Sequence, residues 1–205
     1  MLTFSYLHRR RNSLGQSSHY TQPLILTYFS YPFIETIDAG VVGDSKVIIR
    51  DRVLSSLKSC DALIVTGGSG PGKHDLVAEV LEEIGKMLFH GIKIKPGRTA
   101  SAYNVGGRFV LSLSGLPVAA LVSAQAILWP FLELMIGYRK RTLVVRARTN
   151  DPINADPGIH TFARVKLSSD DHGYVCSPLK ISGSGILSTL LESDGTVIIK
   201  ESSEG

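Results

Sequence analysis

The chain has 205 residues, of which 43% are hydrophobic and 20% are charged, and it contains 20 glycines. This composition predicts a folded protein of the α/β or α+β class with many tight turns, and it argues against a disordered chain. The net charge of +4 could indicate a nucleic-acid-binding protein. Its basic clusters, however, contain no interleaved aromatic residues and no helix-turn-helix pattern, so we expect an anionic small ligand and no nucleic acid.

The N-terminal residues contain no apolar segment followed by a small-residue cleavage site, so we expect a cytoplasmic protein. The longest apolar run, residues 113–135, is interrupted by polar residues and prolines, and we therefore expect that no apolar run is long enough to cross a membrane. Cys60 and Cys176 match no metal-binding spacing and are expected to be buried free thiols.

Residues 1–20 contain an arginine run and show no clear periodicity. A short helix is predicted to end near Ser30, and residues 33–42, rich in Ile, Thr and Val, are predicted to form a strand. Asp44 and Ser45 fit a helix N-cap, because their side-chain oxygens can accept hydrogen bonds from the first helical N–H groups. Apolar residues at helical spacing predict the next helix, namely Ile49, Val53, Leu57 and Cys60.

Residues 62–66 form a continuous apolar run, which is typical of a strand covered on both faces in a parallel sheet. A Gly-rich loop over residues 67–72 and a helix from about His74 to Lys86 follow it. A second helix, from Pro117 to Met135, closes the domain. This alternation of strands, helices and loop predicts a three-layer, doubly wound α/β domain.

After Gly137 the pattern changes to short β runs separated by strong turn signals, with one short helix. The runs cover residues 142–148, 162–167, 174–176 and 196–199, and the helix covers residues 186–191. We therefore predict a small, mostly-β, barrel-like second domain. The predicted domains are residues 1–138 and 139–205, and the first strand of the first domain is expected to be divergent or truncated.

The Gly-rich loop differs by one position from a phosphate-binding P-loop. His74 stands where such a loop needs a Ser or Thr to bind Mg²⁺, so a nucleoside triphosphatase is a disfavoured alternative. A loop with few side chains still lets backbone N–H groups approach an anion, and the following helix N-terminus favours negative charge. A plain tight turn is the structural alternative, and we favour ligand binding.

Residues 61–75 (DALIVTGGSGPGKHD) resemble the molybdopterin-binding signature of the molybdopterin molybdotransferases, the family of MoeA and of the gephyrin E domain. Residues 88–98 (LFHGIKIKPGR) are similar to the HGV-x-x-KPGKP segment of that family, and residues 113–120 (LSGLPVAA) to its GLPGNPVSA loop. Residues 157–164 (PGIHTFAR) and 183–188 (GSGILS) resemble its final domain. The resemblance covers the C-terminal half of family members; two earlier domains and the STGDEL segment have no counterpart that the sequence identifies.

This resemblance implies an enzyme of molybdenum cofactor biosynthesis, which inserts molybdate into adenylylated molybdopterin with release of AMP and uses Mg²⁺. The alternative is a non-catalytic molybdopterin-binding or assembly protein, or an incomplete enzyme that lacks the N-terminal domains. The resemblance also implies a homodimer, and a separately encoded protein could supply the missing domains.

By the same resemblance, Asp75 and Asp44 are the expected catalytic residues, and Asp75 is also the expected Mg²⁺ ligand. An ordinary helix N-cap is the alternative for each of them. For Lys95 the alternative is a solvated surface lysine, and for Arg164 a charge on the strand surface. The expected ligand-binding residues are Gly67, Gly68, Ser69, Gly70, Lys95, Arg98, Ser114, Gly115, Pro117, Arg164 and Ser184.

Overall fold

The computed structural model describes residues 2–9, 20–67, 75–139, 141–149, 151–179 and 187–200. Its larger sheet has six strands. In chain order they are β1 (Leu2–Arg9), β2 (Ile34–Val42), β3 (Ala62–Thr66), β4 (Lys86–His90), β6 (Ser101–Val105) and β7 (Arg108–Leu113). Their spatial order is β2-β1-β3-β7-β6-β4, in which β2, β1, β3 and β7 are parallel and β6 and β4 run antiparallel to their neighbours.

The structure corrects the interpretation of the N-terminus, where no strand was predicted. Residues 2–9 form β1, which pairs in parallel with β2 on one side and with β3 on the other. Because β1 is covered on both faces, Ser5 and Tyr6 are buried beside Leu7 and no polar-apolar alternation marks the strand. The Tyr6 hydroxyl is hydrogen-bonded to that of Thr66 on β3. The first strand of the domain is therefore present.

Helices cover both faces of the larger sheet. The helices α1 (Thr21–Tyr28) and α4 (Pro117–Ile136) pack on one face, and α2 (Lys46–Ser56) and α3 (Leu76–Ile84) pack on the other. This arrangement confirms the predicted three-layer, doubly wound domain. The predicted N-cap differs in detail, because Ser45 occupies the N-cap of α2 but its side chain makes no capping hydrogen bond.

The helix α4 is the main apolar element of the first core. By length and hydropathy alone it could cross a membrane, so the expectation that no apolar run is long enough was wrong. Its buried side chains pack in the core with the sheet and α1, as expected for the central helix of a globular domain. Trp129 contacts the rings of Phe29 and Tyr31, which makes it a core residue. The helix ends at Gly137, as predicted.

The smaller sheet contains five strands, namely β5 (Ile94–Lys95), β8 (Ala147–Thr149), β9 (His160–Asp170), β10 (Gly173–Pro178) and β11 (Gly195–Ile199), and α5 (Ser188–Glu192) is the short helix. Four of the strands lie in the order β11-β9-β10-β8, and β5 pairs with β9. This confirms a mostly-β second part. The strand predicted over residues 142–148 is only partly formed, since the strand begins at Ala147 and Leu143 is 90% exposed. Cys60 and Cys176 are buried and free, as expected.

Candidate functional site

The order of the strands in the larger sheet reverses at one point. The chain moves from β1 to β2 on one side and then returns past β1 to β3 on the other. In doubly wound sheets, ligands bind at the carboxyl ends of the strands where the order reverses. Here that point lies between β1 and β3. Gly67, a predicted ligand-binding residue, follows β3 directly. The predictions for Gly68, Ser69 and Gly70 lie outside the described residues.

The loop after β7 lies against Gly67. A Cβ atom added to Gly115 would stand 3.4 Å from the Cα of Gly67, so the two backbones are in close approach. The Leu116 N–H donates to the Ser114 hydroxyl oxygen at 3.2 Å, and Pro117 then begins α4. The structure thus brings together four of the residues expected to bind ligand, Gly67, Ser114, Gly115 and Pro117. We call these four residues the backbone wall of the site. They present main-chain atoms next to the N-terminus of α4, which suits an anionic ligand.

Sequence reasoning missed one residue that contacts the backbone wall. Thr21, at the start of α1, is fully buried, and its hydroxyl donates to the Gly115 carbonyl at 2.8 Å. This bond ties the loop after β7 to a helix 94 positions away in the chain. No local signal could have identified Thr21, because a Thr at a helix start is common and its partner is distant.

Asp75 occupies the N-cap of α3, at the exit of the Gly-rich loop. Its Oδ1 atom accepts hydrogen bonds from the N–H groups of Val77 at 3.0 Å and Ala78 at 3.1 Å. The alternative interpretation of Asp75 as a helix cap is therefore confirmed, and its carboxylate is held at the positive end of the helix. Asp44 is exposed at the same edge of the sheet, just after β2, and the N-cap there is Ser45.

The described residues contain no cluster of three or more His, Cys, Asp or Glu that could hold a metal ion. A protein cage of carboxylates is therefore absent from that part of the chain. Mg²⁺ commonly keeps several waters and binds through one or two carboxylates together with substrate phosphates. Asp75, a single carboxylate at a helix N-terminus, fits that second kind of site, in which the phosphate belongs to the substrate.

The Lys-Pro-Gly-Arg turn packs against the first turns of α4. A Cβ atom added to Gly97 would lie 2.8 Å from the Ala119 carbonyl oxygen, which places the turn close to the N-terminus of that helix. Lys95 pairs with Asp156 of the second part of the chain, with Nζ and Oδ2 at 2.8 Å. Arg98 is exposed. The peptide bond between Lys95 and Pro96 is cis.

Arg164 lies inside the second part of the chain. It is only 3% exposed, and its Nε–H donates to the Thr189 hydroxyl at 2.8 Å. The alternative interpretation as a charge on the strand surface is therefore wrong. Burial lowers the pKa of the guanidinium, and its buried Nη1 has no hydrogen-bond partner within the described ranges. Such a donor suits an oxyanion. Ser184, predicted to act with it, lies outside the described residues.

Comparison with known proteins gives two family matches. Residues 14–134 match the family described as the probable molybdopterin binding domain. Residues 146–205 match the family described as the MoeA C-terminal region, domain IV. The two matches follow each other along the chain in the same order as the two sheets.

Two curated relatives illustrate the extent of the similarity. The chain is 31% identical over 165 residues to a Methanocaldococcus jannaschii protein named for molybdopterin biosynthesis, covering 80% of the chain and 38% of that protein. It is 28% identical over 106 residues to the molybdopterin molybdenumtransferase of Haemophilus influenzae, covering 52% of the chain and 26% of that enzyme. The chain therefore matches well under half of the length of these relatives.

Two solved structures share the fold. The molybdopterin biosynthesis MoeA protein of Pyrococcus horikoshii OT3 has a TM-score of 0.74 and 26% identity, covering 100% of the chain and 50% of that protein. The tungsten cofactor synthesizing protein MoaB of Pyrococcus furiosus has a TM-score of 0.53 and 20% identity, covering 68% of the chain and 98% of MoaB. These likenesses confirm the predicted fold class.

Proposed function

The chain belongs to the molybdopterin-binding domain family and continues into a MoeA C-terminal region, and on this premise we propose that it inserts molybdate into adenylylated molybdopterin with release of AMP. It acts, in this proposal, in molybdenum cofactor biosynthesis in the cytoplasm. The nucleoside triphosphatase alternative has no such support from the comparisons, and His74 already disfavours it.

The observation that carries the proposal is the close approach of Gly67 and Gly115 at the carboxyl edge of the sheet. Neither residue has a side chain, so a phosphate-bearing ligand can approach the backbone N–H groups at both loops. The N-termini of α3 and α4 lie beside these loops, and their dipoles favour negative charge. Substrate phosphate is therefore assigned to this edge.

Two sets of residues would act on the bound substrate. Asp75, with Asp44, would position Mg²⁺ at the phosphoanhydride, where the cation offsets the charge of the phosphate oxygens. Lys95, Arg98, Arg164 and Ser184 would supply donors to molybdate, because ammonium and guanidinium groups bind oxyanions strongly. Together these residues would hold the two substrates in the orientation that the reaction needs, which is a large part of catalysis.

The extent of the matched relatives suggests what else the reaction requires. The chain spans half of the length of the Pyrococcus horikoshii protein, and we propose that the complete cleft also includes residues outside that span. We propose that a separately encoded partner provides these residues, and, independently, that the chain forms a homodimer. The second candidate function, binding or assembly without turnover, follows if no partner provides these residues. We also propose that the two domains, residues 1–138 and 139–205, meet near Tyr138.

The test is a titration of the purified protein with adenylylated molybdopterin, followed by molybdate and Mg²⁺ with measurement of AMP release. Asp75→Asn keeps an oxygen that can cap α3 and removes the charge, so it should retain binding and lose AMP release. Lys95→Met should weaken molybdate binding, so that AMP release responds less to added molybdate. Lys166→Met is the matched control, because Lys166 also pairs with an aspartate, Asp194, in the second part of the chain.

Each outcome selects one function. Molybdate-dependent AMP release that Asp75→Asn abolishes and Lys166→Met preserves supports the enzyme. Binding without AMP release supports the binding or assembly protein, and addition of a candidate partner should then restore turnover. Absence of binding to adenylylated molybdopterin would refute both functions.

A further inference from the structure

The ammonium group of Lys95 already has a counter-charge. Its Nζ lies 2.8 Å from Oδ2 of Asp156, and the two side chains are 55% and 51% exposed. The pair joins residues 61 positions apart. Lys95 ends β5, in the segment that packs on α4, and Asp156 precedes β9 in the smaller sheet. The contact therefore bridges the two matched regions of the chain.

Backbone hydrogen bonds hold both partners of this pair in place. The Ile159 N–H donates to the Asp156 carbonyl at 3.2 Å and closes the turn that carries the carboxylate. The His160 N–H donates to the Lys93 carbonyl at 2.9 Å, and β5 pairs with β9 in parallel, with Lys95 opposite Thr161. Because both backbones are fixed relative to each other, Asp156 is a resident partner of Lys95.

A resident carboxylate changes what Lys95 can offer to an anion. While the pair is closed, the ammonium charge is compensated, and an arriving oxyanion meets a carboxylate of the same sign as itself. Exposed ion pairs contribute little to stability, so an anion can displace the carboxylate at small cost. The open pair would then leave Asp156 in water, where its exposure allows it to be solvated.

We propose that Asp156 is the resident counter-charge of the oxyanion site at Lys95, and that a bound oxyanion displaces it. Asp156 thereby sets the affinity of the site, although it makes no favourable contact with the anion. This inference rests on the proposed role of Lys95 in molybdate binding. The other proposed site residues raise the affinity for molybdate, whereas Asp156 lowers it.

The experiment is a calorimetric titration of the full chain with molybdate alone at constant ionic strength. Removing the carboxylate in Asp156→Asn should tighten molybdate binding by about two- to fivefold, the range expected for an exposed ion pair. Lys95→Met should weaken binding. In the double variant, the Asp156→Asn substitution should have no further effect, because the ammonium for which carboxylate and anion compete is gone.

Asp170→Asn is the matched control. It breaks the Arg148–Asp170 pair, whose side chains are 50% and 47% exposed and whose Nη2 and Oδ2 atoms lie 2.6 Å apart, and it removes the same charge from the same part of the chain. It should leave molybdate affinity unchanged. An equal gain in both variants would show that only net charge matters and would overturn the proposal.

Three other results would also overturn it. Unchanged or weaker binding by Asp156→Asn would mean that the carboxylate stays in place or positions Lys95 for the anion. Persistence of the gain in the double variant would show that it does not act through Lys95. Absence of molybdate binding in every variant would show that Lys95 forms no oxyanion site. The proposed enzyme is tested separately by AMP release, so it can fail while the effect of Asp156→Asn on molybdate binding remains.

Discussion

The Ser123 hydroxyl, on α4, lies 2.9 Å from the Gly97 carbonyl oxygen and donates a hydrogen bond to it. The same contact leaves no space for a side chain at position 97. A Cβ atom there would lie 2.1 Å from Ser123 Oγ and 2.8 Å from the Ala119 carbonyl oxygen, and Gly97 has φ of +109°. The turn that carries Lys95 can therefore pack against α4 only because residue 97 is a glycine.

We expect Gly97→Ala to destabilise the protein by roughly 2–6 kcal/mol, because a strained backbone and an overpacked contact each cost about 1–3 kcal/mol. Urea unfolding measures this change. Gly173→Ala is the matched control, since Gly173 has φ of +113° and no atom within 4 Å of an added Cβ. It should show the strain alone, about 1–3 kcal/mol. Equal losses in the two variants would contradict the tight packing at Gly97.

The hydrogen bond between Arg164 and Thr189 gives a second prediction. Thr189→Val leaves the buried Nε–H of Arg164 without this acceptor, and an unsatisfied buried donor costs about 1–3 kcal/mol. Thr189→Ser retains the hydroxyl and should recover most of that loss. Chemical denaturation compares the three proteins. If Val and Ser variants are equally stable, the hydroxyl is not an important partner of the guanidinium.

The stability of the protein at alkaline pH should depend on Tyr6. Burial raises the pKa of its phenol above the ordinary value, against a smaller lowering by the hydrogen bond with Thr66, and the charge of Asp38 adds to the rise. A raised folded-state pKa means that the contribution to stability is complete below about pH 10, the unfolded-state value, and is lost as the pH rises above it.

Above about pH 10, Tyr6→Phe should therefore weaken the pH dependence of the unfolding free energy. Comparing wild type and variant by urea unfolding at neutral and at alkaline pH measures the effect. Some dependence should remain, because burial also raises the pKa of Tyr103. Parallel curves for the two proteins would show that the Tyr6 phenol ionises as easily in the folded state as in the unfolded state.

The carboxyl group of Asp170 gives a prediction at acid pH. The backbone N–H of His172 lowers its pKa most, and the Arg148 side chain lowers it further. The lowered folded-state pKa means that its contribution to stability is present above about pH 4 and is lost as the pH falls. A carboxyl-carbon NMR titration should place Asp170 below the ordinary aspartate range.

Arg148→Gln should raise the pKa of Asp170 only partly, since the hydrogen bond from His172 remains. An Asp170 pKa that returns fully to the ordinary value in Arg148→Gln would show that the ion pair, and not the backbone hydrogen bond, is the main cause.

Local sequence patterns predicted the helices α1 to α4 and two strands of the larger sheet, β2 and β3, whereas β1, β4, β6 and β7 were missed. The five buried residues of β3 follow one another without a break, and the apolar stripe of α3 has helical spacing, so each element could be recognised within a few residues. The strand β1 was missed because its buried residues include Ser5 and Tyr6. Their burial depends on neighbours in β2 and β3, which the sequence of β1 does not reveal.

The candidate site shows the same division. The Gly-rich loop, the Lys-Pro-Gly-Arg turn and the loop before α4 were recognisable from sequence, because short motifs specify their own backbone geometry and their order indicates the family. Only the tertiary structure decided that Gly67 lies close to Gly115 and that Thr21 binds the loop before α4. It also decided that Arg164 is buried and hydrogen-bonded to Thr189. It also decided that Lys95 faces Asp156. Contacts between residues that lie far apart in the chain form only when sheets and helices pack. Local sequence therefore determined the individual elements and loops of this protein, and packing determined which partners its charged residues contact.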